Sequence, residues 1–232
     1  MSERIYTEEN GEYLKKNPSW HVEDSPWKAK QIIKMLRRNT LDHKSIAEVG
    51  CGAGEILNQL YLSMPDNITF TGYDISGDAI NFAKQRVKNR LTFKHENFLE
   101  ADVNFDLLLM IDVFEHVDDY LGFLKSCKSK SKNTIFHIPL EVTVMGILRN
   151  HFINSRKSLG HLHYFTKETA IATLIDAGYE IVDYFYTAGP LDMPKNSLHA
   201  RITFLPRKLL FQANEDIAVK LLGGFSLMVL TK

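Results

Sequence analysis

Cysteine is scarce in this chain of 232 residues, occurring only at Cys51 and Cys127. Two thiols cannot build a disulfide framework, so a reducing, cytoplasmic compartment is expected. Long apolar runs are missing too: nothing approaches the length needed to span a bilayer, and the first residues are polar and charged rather than a signal segment. A soluble protein without membrane insertion is the expectation. No charge sign is in excess, since Lys plus Arg and Asp plus Glu both total 28. Lacking a global positive field, the chain is not expected to bind nucleic acid. The local run Lys125, Lys128, Lys130 and Lys132 falls where a helix should end, and cations there complement the helix dipole. There is no internal repeat or low-complexity tract. The length suits one α/β domain with a sizeable core and one site, as a monomer or a homodimer.

What the chain does have is a glycine-rich turn between strand-like and helix-like stretches. Ser45 to Val49 reads as a buried strand, Gly50-Cys51-Gly52-Ala53-Gly54 follows, and Glu55 opens a helix. The next strand-like run ends at Asp74, twenty positions after Gly54. Such a loop lets a ligand lie against bare backbone, because glycine has no Cβ and accepts φ > 0. A carboxylate at Asp74 would then meet ribose hydroxyls, so an adenosine-type cofactor is expected at the carboxyl edge of a parallel sheet. A dinucleotide fingerprint requires a third glycine where Glu55 stands. A carboxylate there would repel pyrophosphate, whereas it is tolerable beside a sulfonium and an ammonium group.

Strand and helix patterns alternate from residue 45 to about 138, the signature of a doubly wound parallel sheet. Strands are expected at Ser45 to Val49, Ile68 to Tyr73, Leu91 to Lys94, Phe105 to Ile111, Thr134 to Ile138, Tyr179 to Tyr186 and Phe225 to Leu230. Helices are expected at Glu55 to Met64, Asp78 to Lys88, Tyr120 to Lys128 and Lys167 to Ala177, the last capped by Thr166 and stopped at Gly178. Near the N-terminus, Trp20-His21 precedes a helix start at Asp24-Ser25-Pro26-Trp27 and an amphipathic stretch from Ala29 to Leu36. The expected organisation is a single domain over 1–232, with N-terminal cap helices in 1–40 and cap insertions at 141–165 and 187–224. Those insertions are too long for ordinary connections, and each reads either as a cover for the site or as packing that seals the sheet edge.

The pattern Glu48-x-Gly50-x-Gly52-x-Gly54 resembles motif I of the class I S-adenosylmethionine-dependent methyltransferases, and Tyr73-Asp74 resembles their acidic ribose motif. Phe105-Asp106-Leu107-Leu108-Leu109-Met110-Ile111-Asp112-Val113-Phe114-Glu115-His116 resembles their motif IV with its trailing Glu-His. Gly160-His161-Leu162-His163-Tyr164-Phe165-Thr166 is similar to a segment that borders the acceptor pocket in small-molecule and lipid (type 11/12-like) methyltransferases. The resemblance runs over about residues 45 to 232. It implies a Rossmann-like α/β fold: a doubly wound, seven-stranded, mostly parallel sheet with an antiparallel final strand and small helical cap insertions. S-adenosyl-L-methionine would be the cofactor and S-adenosyl-L-homocysteine the product.

By the same resemblance, Gly50, Cys51, Gly52 and Gly54 would wrap the methionine part of the cofactor, with Glu48 approaching its ammonium. Asp74 would bind the ribose and Ile75 would pack on the adenine. Asn97-Phe98 stands where the family commonly has an acidic residue against the adenine amino group. Asn97 can still accept that bond, or can serve as a turn residue. Ile111 and Asp112 would lie by the transferred methyl. A hydroxyl acceptor must lose its proton as it attacks, and histidine suits that at neutral pH. His161 and His163 are therefore the candidate bases, although each could equally bond a carbonyl or cap a helix, and His116 is a third, which could instead support its loop.

No Asn-Pro-Pro-Tyr type motif follows the fourth strand, which favours transfer to oxygen of a sugar, lipid or secondary metabolite. No residue is assigned to a metal in this reading. An alternative follows from a resemblance to small-RNA and quinone-ring O-methyltransferases, in which Asp112, Glu115, His116 and His161 would hold Mg²⁺ or Mn²⁺. Two further alternatives are a regulatory protein that binds S-adenosylmethionine without methyl transfer, and a nicotinamide oxidoreductase, disfavoured by Glu55.

Overall fold

Seven strands form one sheet in the order β3-β2-β1-β4-β5-β7-β6. The computed structural model describes residues 17, 19, 20, 22–194 and 198–232, without the side chain of His199. His21 and residues 1–16 of the expected N-terminal cap lie outside them. The strands are β1 (Ser45–Val49), β2 (Thr69–Asp74), β3 (Leu91–His95), β4 (Phe105–Ile111), β5 (Ser131–Leu140), β6 (Ile181–Thr187) and β7 (Phe225–Thr231). The pairs β1/β2, β1/β4, β2/β3 and β4/β5 are parallel, while β7 runs antiparallel to both β5 and β6. This is the doubly wound, mostly parallel sheet with an antiparallel final strand that the sequence implied.

Both faces of the central strands are buried, so their sequences are near-continuous apolar runs whose alternate residues go to opposite sides. In β4, Leu107, Leu109 and Ile111 pack with α1 (Ser25–Asn39) and α2 (Glu55–Ser63), through Ile32, Met35, Leu57 and Leu60. Leu108 and Met110 point the other way, toward Leu124 and Cys127 of α4 (Tyr120–Lys128) and Ala170 and Leu174 of α7 (Lys167–Asp176). Helix α7 begins where expected: the Thr166 side chain accepts from the Thr169 amide and the Thr169 side chain accepts from the Thr166 amide, a reciprocal cap. It ends at Gly178, with φ +93.

The segment expected as one helix from Asp78 to Lys88 is instead α3 (Gly77–Ala83) followed by a 3₁₀ turn at Lys84–Arg86. The two insertions are largely helical. The first contains α5 (Val144–Leu148) and α6 (His151–Ser158), and the second contains α8 (Gly189–Asp192), α9 (Leu198–Ala213) and α10 (Glu215–Leu222). Helix α9 tolerates Pro206 in its interior.

The strand order reverses direction between β1 and β4. In open α/β sheets the crevice outside the carboxyl ends at that point is where ligands bind. The glycine turn after β1 and the loop after β4 open into that crevice.

Candidate active site

The crevice is a cavity of about 1210 Å³, above the roughly 300–1,000 Å³ usual for a single small ligand. Its floor is the turn after β1. Gly50, Gly52 and Gly54 all have φ > 0. A Cβ on Gly54 would lie 2.4 Å from the Phe93 ring, and one on Gly50 would lie 2.9 Å from a Val113 methyl, so side chains are excluded both by conformation and by space. The Gly52 amide donates to Asp74 Oδ2 at 2.8 Å, and the Ser76 amide donates to Oδ1 at 2.8 Å. Asp74 thus ties the loop to the end of β2. Burial raises its carboxyl pKa, with these backbone donors working against the rise. Each carboxylate oxygen retains acceptor capacity toward the cavity that Asp74 lines.

Glu48, on β1, is buried, and its Oε2 has no hydrogen-bond partner among the described residues. Burial pushes its carboxyl well above the usual range, Lys28 opposes that shift and Asp74 adds to it. A buried acceptor without a donor, beside a loop of bare backbone, fits a ligand that carries an ammonium group. Cys51 is buried, and its thiol is pushed up by that burial and by the charges of Asp74 and Glu48. It lines the cavity as an inert small group.

Glu55 also lines the cavity, but its carboxylate is engaged by Gln59 at 2.7 Å, Arg86 at 2.5 Å and Asn58 at 3.2 Å. These partners outweigh its partial burial and hold its pKa down. Arg86 offsets the charge on which the sequence argument against pyrophosphate relied.

Ile75, Asn97, Phe98, Ile111 and Asp112 all border the same cavity. Phe98 packs edge-on against Tyr73 with ring centroids 5.1 Å apart. The Asn97 side chain accepts from the Leu99 amide at 3.1 Å and donates to Glu100 at 3.1 Å, the local turn arrangement left open by the sequence. Asp112 has φ +55, an uncommon conformation for a residue with a side chain. Its Oδ1 meets His137 Nδ1 at 2.6 Å and its Oδ2 meets Lys28 Nζ at 2.8 Å. Burial would raise the Asp112 carboxyl, but His137 and Lys28 outweigh that and keep it ionised. Burial likewise works against the Lys28 charge, and Asp112 and Asp24 overcome it, holding its pKa above the ordinary value. His137 Nε2 continues to Thr187 Oγ1 at 2.9 Å.

The two histidine motifs meet. One ligand atom each from Glu115, His116 and His161 lies within 4.8 Å of the others, and the His116 and His161 rings are 4.7 Å apart. Both Glu115 oxygens are buried without a partner among the described residues. Burial, together with the charge of Asp112, raises the Glu115 carboxyl well above the usual range. His116 is pushed down to about 4, by burial first and the neighbouring His161 second, so its ring is neutral at physiological pH. His161 is buried, with Nδ1 2.6 Å from Glu141 Oε2. Glu141 also meets the Ser155 hydroxyl at 2.6 Å and His151 at 2.9 Å. Against its own burial, His161 leads these partners in holding the Glu141 carboxyl low. An ionised carboxylate can only accept, so His161 Nδ1 donates, and Nε2 is the ring nitrogen not engaged by Glu141.

His163 is placed differently. Its Nε2 donates to the Val117 carbonyl at 2.9 Å, its ring lies 4.4 Å from that of Tyr120, and it does not line the cavity.

Three residues of this site escaped the sequence reading: Lys28, His137 and Glu141. The acid–cation spacing of Asp24 and Lys28 and the lone polar residue in the apolar run of β5 were signals that could have drawn attention to the first two.

A methyltransferase-domain family model matches residues 22–184. The chain belongs to that family. Its sheet is the Rossmann-like fold of the S-adenosylmethionine-dependent class. The chain is 26% identical over 132 residues to a ubiquinone biosynthesis O-methyltransferase of Haemophilus ducreyi, covering 49% of this chain and 55% of the relative. It is 28% identical over 121 residues to a malonyl-[acyl-carrier protein] O-methyltransferase of Paenibacillus sp., covering 47% of this chain and 43% of the relative. The chain therefore spans about half the length of the curated relatives it matches. Among solved structures, magnesium protoporphyrin IX methyltransferase from Synechocystis PCC 6803 with bound S-adenosylhomocysteine superposes with a TM-score of 0.57 at 15% identity, covering 98% of this chain and 90% of that one.

Proposed function

We propose that this methyltransferase transfers the methyl group of S-adenosylmethionine to an oxygen of a small-molecule acceptor: a sugar, a lipid or a secondary metabolite. The chain would act as one domain, with helices in 1–40, 141–165 and 187–224 capping the site. The observation that carries the reading is the buried Glu141–His161 pair at the cavity wall, in which Glu141 engages Nδ1 and leaves Nε2 as the ring nitrogen that could accept a proton.

When bound, S-adenosylmethionine supplies a sulfonium methyl for an in-line displacement. Gly50, Gly52 and Gly54 leave room for its methionine part along the backbone, Glu48 accepts from its ammonium, and Asp74 holds the ribose hydroxyls. Asp112, fixed by Lys28 and His137, shapes the wall where acceptor and donor meet. His161 takes the acceptor's proton on Nε2, and Glu141 stabilises the imidazolium that results. His163, hydrogen-bonded to the Val117 carbonyl and not itself lining the cavity, supports the loop, and the neutral ring of His116 positions His161. Holding the reactants in a water-poor crevice contributes most of the rate.

A second reading is favoured by the unpartnered oxygens of Glu115: a divalent metal held by Glu115, His116 and His161 that polarises a hydroxyl acceptor. Asp112 would stand outside that set, because its oxygens are already taken by His137 and Lys28.

Calorimetric titration with S-adenosylhomocysteine and with NAD, followed by a labelled-methyl screen against metabolite extracts, tests the first reading. Binding of NAD alone would overturn it, and tight S-adenosylhomocysteine binding without transfer to any acceptor would favour a regulatory protein. Dialysis against chelator separates the two enzymatic readings, since unchanged transfer by metal-free protein removes the second.

A further inference from the structure

Helix α9 presents two opposed faces. Ala200, Phe204 and Arg207 line the cavity, while Leu198, Ile202, Leu205 and Leu209 recur at helical spacing on the outside, 57% to 73% exposed. Helix α10 packs against both α9 and α5, and α5 adds Ile147 and Leu148, 58% and 72% exposed. Large aliphatic side chains exposed along one face of a helix are unusual for a globular chain and mark an interaction site.

Along α9 and along the segment that holds α5 the charge is of one sign, whereas α10 between them opens with the exposed Glu215 and Asp216. Between Glu141 and Lys167 the sequence holds Arg149, Arg156 and Lys157 and no acid; between Asp192 and Glu215 it holds Lys195, Arg201, Arg207 and Lys208 and no acid. In a chain whose acids and bases balance overall, that is a local concentration. Of these residues, Arg149, Arg156, Lys157, Arg201 and Lys208 are exposed.

We infer that α5 and α9 form a docking surface for an anionic lipid bilayer, with α9 lying in the plane of the interface. Aliphatic side chains on the outer face enter the headgroup boundary, and the flanking cations meet lipid phosphates. Such adsorption is distinct from spanning, for which no described helix is long and apolar enough. A second copy of the chain is a poorer occupant, because a two-fold contact through this face would set its cations against each other. Docking in this orientation places the cavity directly beneath the lipid surface, since the inner face of the same helix forms part of its wall. The inference goes beyond the proposed methyl transfer and is read without any acceptor.

The test is co-sedimentation of the full chain with vesicles of phosphatidylglycerol and phosphatidylcholine, and with phosphatidylcholine alone. Binding is expected only to the anionic vesicles and should weaken steeply with salt. The double variant Ile202→Ser, Leu205→Ser should lower partitioning roughly tenfold or more, and Lys208→Gln about fivefold, with S-adenosylhomocysteine affinity unchanged. Lys208→Gln, a surface change, keeps the test decisive should the double variant misfold. Failure of the folded wild type to bind anionic vesicles, or equal binding to neutral ones, would overturn the inference. So would a dimer in light scattering that Lys208→Gln strengthens and Leu205→Ser dissolves, which would assign the face to a second copy.

Discussion

Lys28 Nζ lies 2.8 Å from Asp112 Oδ2, so a helix that precedes the sheet in the chain pins the residue that follows β4. Asp112 has a left-handed backbone conformation there, and its other oxygen is held by His137. The wall of the cavity beside the glycine loop therefore depends on an ion pair between distant segments.

Replacing Lys28 with Met leaves the partly buried Asp112 carboxylate with one partner fewer. Leaving such a group short of a partner costs about 1–3 kcal/mol. Chemical denaturation should show a loss of about that size, and Lys28→Met should also bind S-adenosylhomocysteine more weakly. A variant as stable as the parent would show that the pair contributes little.

Gly54→Ala meets two obstacles, a Cβ 2.4 Å from the Phe93 ring and φ +77. Strain of about 1–3 kcal/mol is expected, and the loop must shift to relieve it. Titration should show S-adenosylhomocysteine affinity falling by at least tenfold in protein that remains folded; retained affinity would mean that the loop tolerates the shift.

Glu48→Gln should act in opposite senses on the free and bound protein. The folded-state pKa of Glu48 is raised above its ordinary 4.5, so its contribution to stability is fully present below about pH 4.5 and is lost as pH rises through the folded pKa. Glutamine does not ionise, so urea midpoints of the ligand-free variant should exceed those of the parent increasingly as pH rises. Loss of the charge should weaken S-adenosylhomocysteine binding by roughly tenfold or more. Parallel pH curves, or undiminished affinity, would remove the assigned role.

His161→Gln removes the candidate base while keeping a polar side chain. Once an acceptor is identified, kcat should fall by about 10²- to 10⁴-fold, with S-adenosylhomocysteine affinity within about twofold of the parent. Glu141→Gln should lower kcat less and shift the pH–rate profile, the mark of a residue acting through its partner. His163→Gln should leave the pH profile in place, and a large kcat loss there would reverse the assignment of the base.

Much of the sheet was legible because buried parallel strands must be apolar on both faces and are punctuated by turn residues. β1 and β4 have the expected bounds, and the helix start at Glu55 follows from the glycine turn before it. β5 runs from Ser131 to Leu140, past the stretch expected from Thr134 to Ile138. Its register continues through Pro139↔Ser226 to Leu140↔Phe225 on β7, a partner remote in sequence that local pattern does not show. The bounds of the helices in the two insertions were hidden for a similar reason. α9 carries a proline and an apolar stripe that faces outward, so its periodicity does not mark a conventional core face.

By itself the sequence determined the glycine loop and the carboxylate that ties it to β2. The spacing of Gly50, Gly52, Gly54 and Asp74 follows from backbone conformation and strand length, which are local matters. Only the tertiary structure decided the rest of the site. Glu141 meets His161 at 2.6 Å across twenty residues, while Lys28 and His137 close on Asp112 from opposite directions in the chain. Such pairings depend on how the sheet order and the long insertions bring remote side chains together, and burial then sets which of those groups carry charge.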